Sequence, residues 1–422
     1  MPAAPIARHG RTKGPMQPTT RSMTASKNLR SSFNPALEDI RMSPIVSISE
    51  AARVRAVEYE KTGGRFVFFQ RGEIDFPTPK FIVDAAKRGL DEGLTKYPRS
   101  GGENFFREAV ARRLKIDHDA DVDASQVVAT YGGQEGLELS FKLFKSGAGF
   151  SPTWSCALEN FVPFAQIDFK EVPLNADFSV DYDRVDDAVR GRDFFYLNNP
   201  QNPTGKVFTR DELTRIVEIC TSHGAFVIAD EAYEKIIYDG EHFSLSKLAQ
   251  ENIITVFTMS KAYSMTGWRI GYAVTRNAKV AKLLRLGNYT QTAGVTTFLQ
   301  FAAAEAMNNV QESRAAIAAM NEEFRRRRDT LYEGLKDLPG ITIDRPAGAF
   351  YMFPNFTRII PSDLSGEARN HYIYDLLMEN GIATVYGSCF GHHFTDNVRL
   401  SFSATPVPVI NEAVERFRRI FG

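Results

Sequence analysis

The sequence predicts an α/β architecture: a largely parallel sheet with helices on both faces, followed by a smaller α+β unit. Two observations carry this. Short apolar runs alternate with amphipathic, capped stretches along the middle of the chain, the signature of strands delivered through helical crossovers. The length of 422 residues also exceeds what one hydrophobic core organises, so about two folding units are expected.

The elements follow in order. Residues 36–64 begin with a short connection, then take helical spacing that stops at Gly63-Gly64. "RFVFFQRGEIDFPTP" (65–79) reads as a strand and a Gly/Pro turn. "SQVVAT" is a strand and "GGQEGLELSFKLF" opens a helix. "DFFYLNNP" is a strand, "TRDELTRIVEICTSHG" a capped helix, and "AFVIAD" and "NIITVFTMS" are strands. After the strand "WRIGYAVT" comes a long helical stretch at about 296–338. "GITIDRPAGAFYMFP", a helix at about 366–380, "VRLSFS" and a terminal helix "NEAVERFRRIF" make up the smaller unit. The expected division is a basic tail over 1–37, an N-terminal arm with part of the small domain over 38–70, a large domain over 71–295, and the connecting helix with the C-terminal small domain over 296–422.

Composition narrows the function classes. The chain is 43% hydrophobic and 24% charged, and its 51 Lys+Arg balance 51 Asp+Glu. No global excess points to nucleic acid or to a basic partner. The longest apolar runs fall short of a membrane span. Cys156, Cys220 and Cys389 are scattered, which suits a reducing cytoplasm and neither a disulfide framework nor a zinc site. His392-His393 reads as loop, since adjacent histidines lack helical ligand spacing and no third ligand is near. The first 37 residues hold Arg8, Arg11, Lys13, Arg21, Lys27 and Arg30 with no acid before Glu38. They read as a disordered tail rather than a transit peptide, because no apolar helical face is evident.

Three stretches carry chemistry. Each follows a predicted strand, and ligands of doubly wound sheets gather at the carboxyl ends of strands. In "VVATYGGQEGLELSFKLF" (127–144), Gly133 and Gln134 open a helix whose free amides suit an anion, although strand–Gly–Gly–helix is also common turn chemistry. In "AFVIADEAYEKIIY" (225–238), Asp230 ends a buried strand. Such a carboxylate needs a partner, which a pyridinium N–H, an arginine or a helix cap could supply. In "FTMSKAYSMTGWRIGY" (257–272), Lys261 stands between Thr258, Ser260 and Arg269. Burial and cationic neighbours depress an amine's pKa, and hydroxyls with a guanidinium suit a phosphate ester.

Thr258-Met259-Ser260-Lys261 through Gly267-Trp268-Arg269 resembles the signature of the class I/II aminotransferases, fold type I of the pyridoxal 5′-phosphate (PLP) enzymes, and the resemblance covers about 45–420. It implies a mainly parallel seven-stranded sheet, PLP held by Lys261 as a Schiff base, and transfer of an amino group between an amino acid and a 2-oxo acid. It also implies roles by position. Asp230 would pair with the ring nitrogen, and Asn202 of "NNPQNPTG" with Tyr233 would meet the phenolic oxygen. Trp154 of "SPTW" would stack on the ring. Gly133, Gln134, Thr258, Ser260 and Arg269 would hold the phosphate. Tyr97 of "TKYPRSGG" would reach a neighbouring subunit's phosphate, implying a homodimer. Arg399 of "VRLSFS" would grip the substrate α-carboxylate, with Gly72, Asn202 and Trp154 beside it. Phe350 and Tyr351 fall in a segment that approaches the pocket. The same scaffold hosts synthases, β/γ-eliminating or replacing enzymes and oxidases. Asn104-Phe105 and Tyr386 depart from the family's usual residues, which leaves those reactions as alternatives. A non-catalytic PLP-binding regulator is disfavoured, because the tail is too short for a helix-turn-helix.

Overall fold

The computed structural model describes residues 35–38, 40 and 42–422. Of the basic segment 1–37, only its last three residues lie within that range, and with Glu38 they form the short helix Pro35–Glu38.

Twelve strands are present among the described residues: β1 Val67–Phe68, β2 Val127–Thr130, β3 Ser146–Ser151, β4 Asp168–Pro173, β5 Phe194–Asn198, β6 Phe226–Asp230, β7 Ile253–Thr258, β8 Gly271–Val274, β9 Tyr351–Met352, β10 Ile382–Ala383, β11 Val385–Tyr386 and β12 Val398–Ser401. Seven form one sheet in the order β2-β8-β7-β6-β5-β3-β4. β8 is antiparallel to both its neighbours, and every other pairing is parallel. The fold is therefore the α/β, mostly parallel seven-stranded arrangement that the resemblance implied.

Burial on both faces explains why the central strands are continuous apolar runs rather than alternating ones. Every residue of β2, β5 and β8 is buried. One face is covered by the helices Tyr182–Val189 and Arg210–Ser222, whose Val185, Leu213 and Ile216 meet Phe195 and Val227. The other is covered by Gly132–Phe141 and Ala278–Thr292, whose Leu137, Phe141 and Leu284 meet Tyr196, Ile228 and Val256. The helix Arg210–Ser222 starts at a capping box: the Thr209 side chain accepts from Glu212 N, and the Glu212 side chain accepts from Thr209 N.

Register lines up the site. Asn198 of β5 lies opposite Asp230 of β6, Asp230 opposite Val256 of β7, and Thr258 of β7 opposite Gly271 of β8, which also faces Thr130 of β2. The ends of five strands thus form one rim. A separate core gathers the helices Val310–Leu335, Gly366–Glu379 and Val407–Phe421 around the three-stranded sheet β11-β12-β9.

Some elements differ from expectation. The stretch 296–338 is two helices, Thr297–Asn308 and Val310–Leu335, interrupted at Asn309, whose φ/ψ of −81°/69° leaves the helical region. In "RFVFFQRGEIDFPTP" the strand is confined to Val67–Phe68.

Candidate active site

The rim opens on a cavity of about 290 Å³. Its lining includes Gly72, Gly133, Gln134, Trp154, Asn202, Asp230, Tyr233, Thr258, Ser260, Lys261, Arg269 and Arg399, which is every site residue named from the sequence except Tyr97. Tyr97 lies outside it and is 91% exposed.

At one end stand the anion-suited groups. Thr258 caps the turn Met259–Ala262 and donates its hydroxyl to Ser260 Oγ at 2.8 Å. Arg269 has a left-handed backbone, φ 57°, an uncommon conformation for a residue with a side chain. Its guanidinium lies over Gly132, where an added Cβ would come within 2.8 Å of Nη2. Gly132 itself has φ +70° and begins the helix Gly132–Phe141, so the amides of the first turn face this space.

Opposite lies Arg399, 1% exposed. Nη1 donates to Asn202 Oδ1 at 3.1 Å and Nη2 to Gln70 O at 2.7 Å, while Nε has no hydrogen-bond partner. Its guanidinium is sandwiched between the rings of Tyr351 (4.5 Å) and Phe390 (4.9 Å). Asn202 is itself fixed through its amide, which donates to Asn198 Oδ1 at 2.5 Å. Tyr233 Oη and Tyr351 Oη share a hydrogen bond of 2.8 Å.

Between the two ends are an amine and an acid whose titrations have both moved toward neutrality. Lys261 Nζ donates to Gly72 O at 2.7 Å. Burial, then the charges of Arg399 and Arg269, push its pKa down to about 8. Burial pushes Asp230 up to about 7, against hydrogen bonds from the Ala232 amide (3.1 Å) and the Tyr196 hydroxyl (3.3 Å). Both donors to Asp230 are neutral, so the acid is solvated by dipoles rather than by an ion pair.

These features suit PLP. An anion cradle, a buried acid without a cationic hydrogen-bond donor, an amine of lowered pKa and an unpaired guanidinium N–H converge on one cavity. They match a phosphate, a ring nitrogen, an aldehyde and a carboxylate respectively.

Residues 66–417 match the family described as "Aminotransferase class I and II". The chain belongs to that family. Members of the family are PLP-dependent, and the chain is an aminotransferase. It is 34% identical over 389 residues to the aspartate/prephenate aminotransferase of Thermus thermophilus, covering 89% of this chain and 96% of the relative. It is 31% identical over 383 residues to the aspartate aminotransferase of Bacillus subtilis, covering 88% and 95%. Among solved structures, Thermus thermophilus aspartate aminotransferase with maleate superposes with a TM-score of 0.84 at 32% identity, covering 93% of this chain and 100% of the other. An aromatic aminotransferase from Pyrococcus horikoshii gives 0.77 at 30% identity, covering 84% and 95%.

Family motifs did not reveal the whole lining. Ile45, from the helix Pro44–Glu60, and Leu137 line the cavity without any sequence mark. Asn198 does so at the end of "FFYLN", where an amide closing an apolar strand was the available signal. Tyr351 lines the cavity, whereas Phe350 is fully buried behind it with its ring 5.5 Å from Lys261 Nζ. Among the described residues no cluster of three metal-ligating side chains occurs, and no helix is long and apolar enough to cross a membrane.

Proposed function

We propose that the cavity binds PLP on Lys261 and exchanges an amino group between an α-amino acid and a 2-oxo acid. The observation that carries this reading is the pairing of a buried amine of lowered pKa with a buried acid across one cavity, with Arg399 beside them.

When bound, PLP supplies an electron sink: its protonated ring withdraws the electron pair left as the substrate Cα loses a proton. The chain's own residues do the rest. Asp230 holds a proton on the ring nitrogen. Gly133, Gln134, Thr258, Ser260 and Arg269 take the phosphate through amides, hydroxyls and a guanidinium. Trp154 covers the ring, and Asn202 with Tyr233 donate to the phenolic oxygen. Arg399 offers its fork to the substrate α-carboxylate, which fixes the orientation of the Cα–H bond. Lys261 Nζ, its pKa lowered to about 8 so that its neutral form is far more accessible than an ordinary lysine's, takes the Cα proton as general base.

Tyr97 supports a composite site. Its 91% exposed ring, with exposed Leu283, Leu286 and Tyr289 on the helix Ala278–Thr292, fits burial against a second copy, placing Tyr97 at the neighbour's phosphate. The relatives' names support a substrate drawn from α-amino acids with acidic or aromatic side chains.

The test is a product assay by mass spectrometry with an amino-acid panel and 2-oxoglutarate or oxaloacetate as acceptor. A new amino acid paired with the donor's oxo acid is expected, and its loss in Lys261→Ala. Ammonia, peroxide or a cyclised product in its place would replace the reading.

A further inference from the structure

One fully buried hydroxyl, bonded to the cavity-lining Asp230, has no role in the scheme above. Tyr196 lies on β5, 0% exposed, with its ring edge-on to Phe141 at 5.3 Å. It pairs in register with Ile228 of β6, two residues before Asp230, so Tyr196 and Asp230 leave the same face of the sheet. The hydroxyl donates to Asp230 Oδ2 at 3.3 Å. The Thr153 side chain lies beside the same hydroxyl and opposes the rise that burial imposes on its pKa.

Thr153 is buried and precedes Trp154, and its own amide donates to Phe390 O at 2.9 Å. The phenol therefore sits between the acid assigned to the ring nitrogen and the segment carrying Trp154. The neighbouring strand leaves Tyr196 little freedom: a Cβ on Gly149 of β3 would lie 2.8 Å from Tyr196 O and 3.2 Å from its Cβ.

Packing alone does not call for this oxygen. Residues 194 and 195 of the same strand are phenylalanines that fill the core without one. A phenol buried without a partner is unfavourable, and here the partner, Asp230, lines the cavity.

We propose that Tyr196 is a positioning residue for the cofactor, its hydroxyl stabilising the charged form of the Asp230 carboxylate and turning it toward the ring nitrogen. The proposal rests on the reading of Asp230 given above. A carboxylate in a water-poor cavity reverts to the neutral acid unless donors stabilise its charge. Asp230 has one at each oxygen: the Ala232 amide at Oδ1 and Tyr196 at Oδ2. Removing the second leaves the acid more protonated and free to turn, and its hold on a protonated ring weakens.

The test compares dissociation constants of the apoprotein for PLP and for an analogue whose ring nitrogen is replaced by CH. In Tyr196→Phe, affinity for PLP is expected to fall about tenfold or more, the range for a hydrogen bond to a charged group, while affinity for the analogue changes by less than about twofold. Equal losses on both ligands would mark Tyr196 as packing only and overturn the proposal, as would no loss on either. Asp230→Ala separates the two levels. If that variant keeps the wild-type preference for PLP over the analogue, the reading of Asp230 itself fails. If it loses the preference and Tyr196→Phe keeps it, the proposal alone fails. Should Tyr196→Phe not fold, Thr153→Val removes the polar group beside the phenol and leaves the aromatic core intact. A smaller loss confined to PLP is expected there, and an unchanged preference would overturn the proposal.

Discussion

Asp230 and Lys261 show what a working cavity does to single residues. The acid rises from an ordinary 3.8 to about 7, and the amine falls from 10.5 to about 8. Each shift favours the uncharged form in the folded apoprotein, and each has a thermodynamic consequence. Because the folded-state pKa of Asp230 lies above its unfolded value, the folded chain binds more protons between about pH 4 and 7. This group's contribution to stability therefore falls as pH rises through that window and levels off above it. Lys261 has its folded pKa below the unfolded one, so its contribution rises with pH between about 8 and 10.5. Replacing Asp230 with Asn removes the first dependence. Urea unfolding of the apoprotein should find Asp230→Asn more stable than wild type at pH 8, by on the order of 3 kcal/mol, with the difference shrinking toward pH 4. A difference independent of pH would show that the carboxylate is not held against its solvation. Function and stability pull apart at this residue, as is expected where an acid is kept for a ligand.

At the scale of elements, the site depends on how strands hand over to turns. Gly132 shows this most directly, since it needs a left-handed backbone and the guanidinium of Arg269 lies where a side chain would go. Gly132→Ala should push Arg269 aside and weaken PLP binding by about tenfold or more, through a lost charge-assisted contact. Fluorescence titration of the apoprotein measures it, with circular dichroism to show that the fold persists. Unchanged affinity would remove Arg269 from the phosphate site.

The same scale decides how much the sequence disclosed. Asp230 and Thr258 were legible because each ends a run of Val, Ile, Ala and Phe that only a doubly covered strand requires. β3 went unnoticed because "SGAGFS" has almost no apolar bulk. A Cβ on Gly147 would fall within the Phe194 ring, so the strand's composition answers to its neighbour rather than to its own propensity. β4, "DFKEVP", is the sheet's edge and carries three charges. Edge position removes the burial on which the apolar signal depends. The Asn309 break lies within the polar run "NNVQES", where a continuous helical period masked the interruption.

At the scale of the whole molecule, the cavity residues come from segments far apart in the chain, and no local period could bring them together. Gly72, Gly133, Asp230, Lys261 and Arg399 meet because the β-strand register and the return of β12 place them so. Family motifs named those residues by order alone, and left unmarked Ile45 and the hydroxyl of Tyr196. Tyr97 extends the argument to assembly. If two copies share sites, a Tyr97→Ala chain keeps its own Lys261, and a Lys261→Ala chain still lends its Tyr97. Mixing and re-equilibrating the two variants should raise activity above the sum of the unmixed proteins, because each mixed dimer has one native site. No gain on mixing, with mixed dimers shown by mass spectrometry, would place Tyr97 outside the neighbour's site.

The most direct measurement is reduction of the PLP-loaded protein with borohydride, followed by peptide mapping. The account predicts a single reduced cofactor per chain, on the peptide containing Lys261. A cofactor fixed to another lysine, or none fixed while the protein still transaminates, would contradict it.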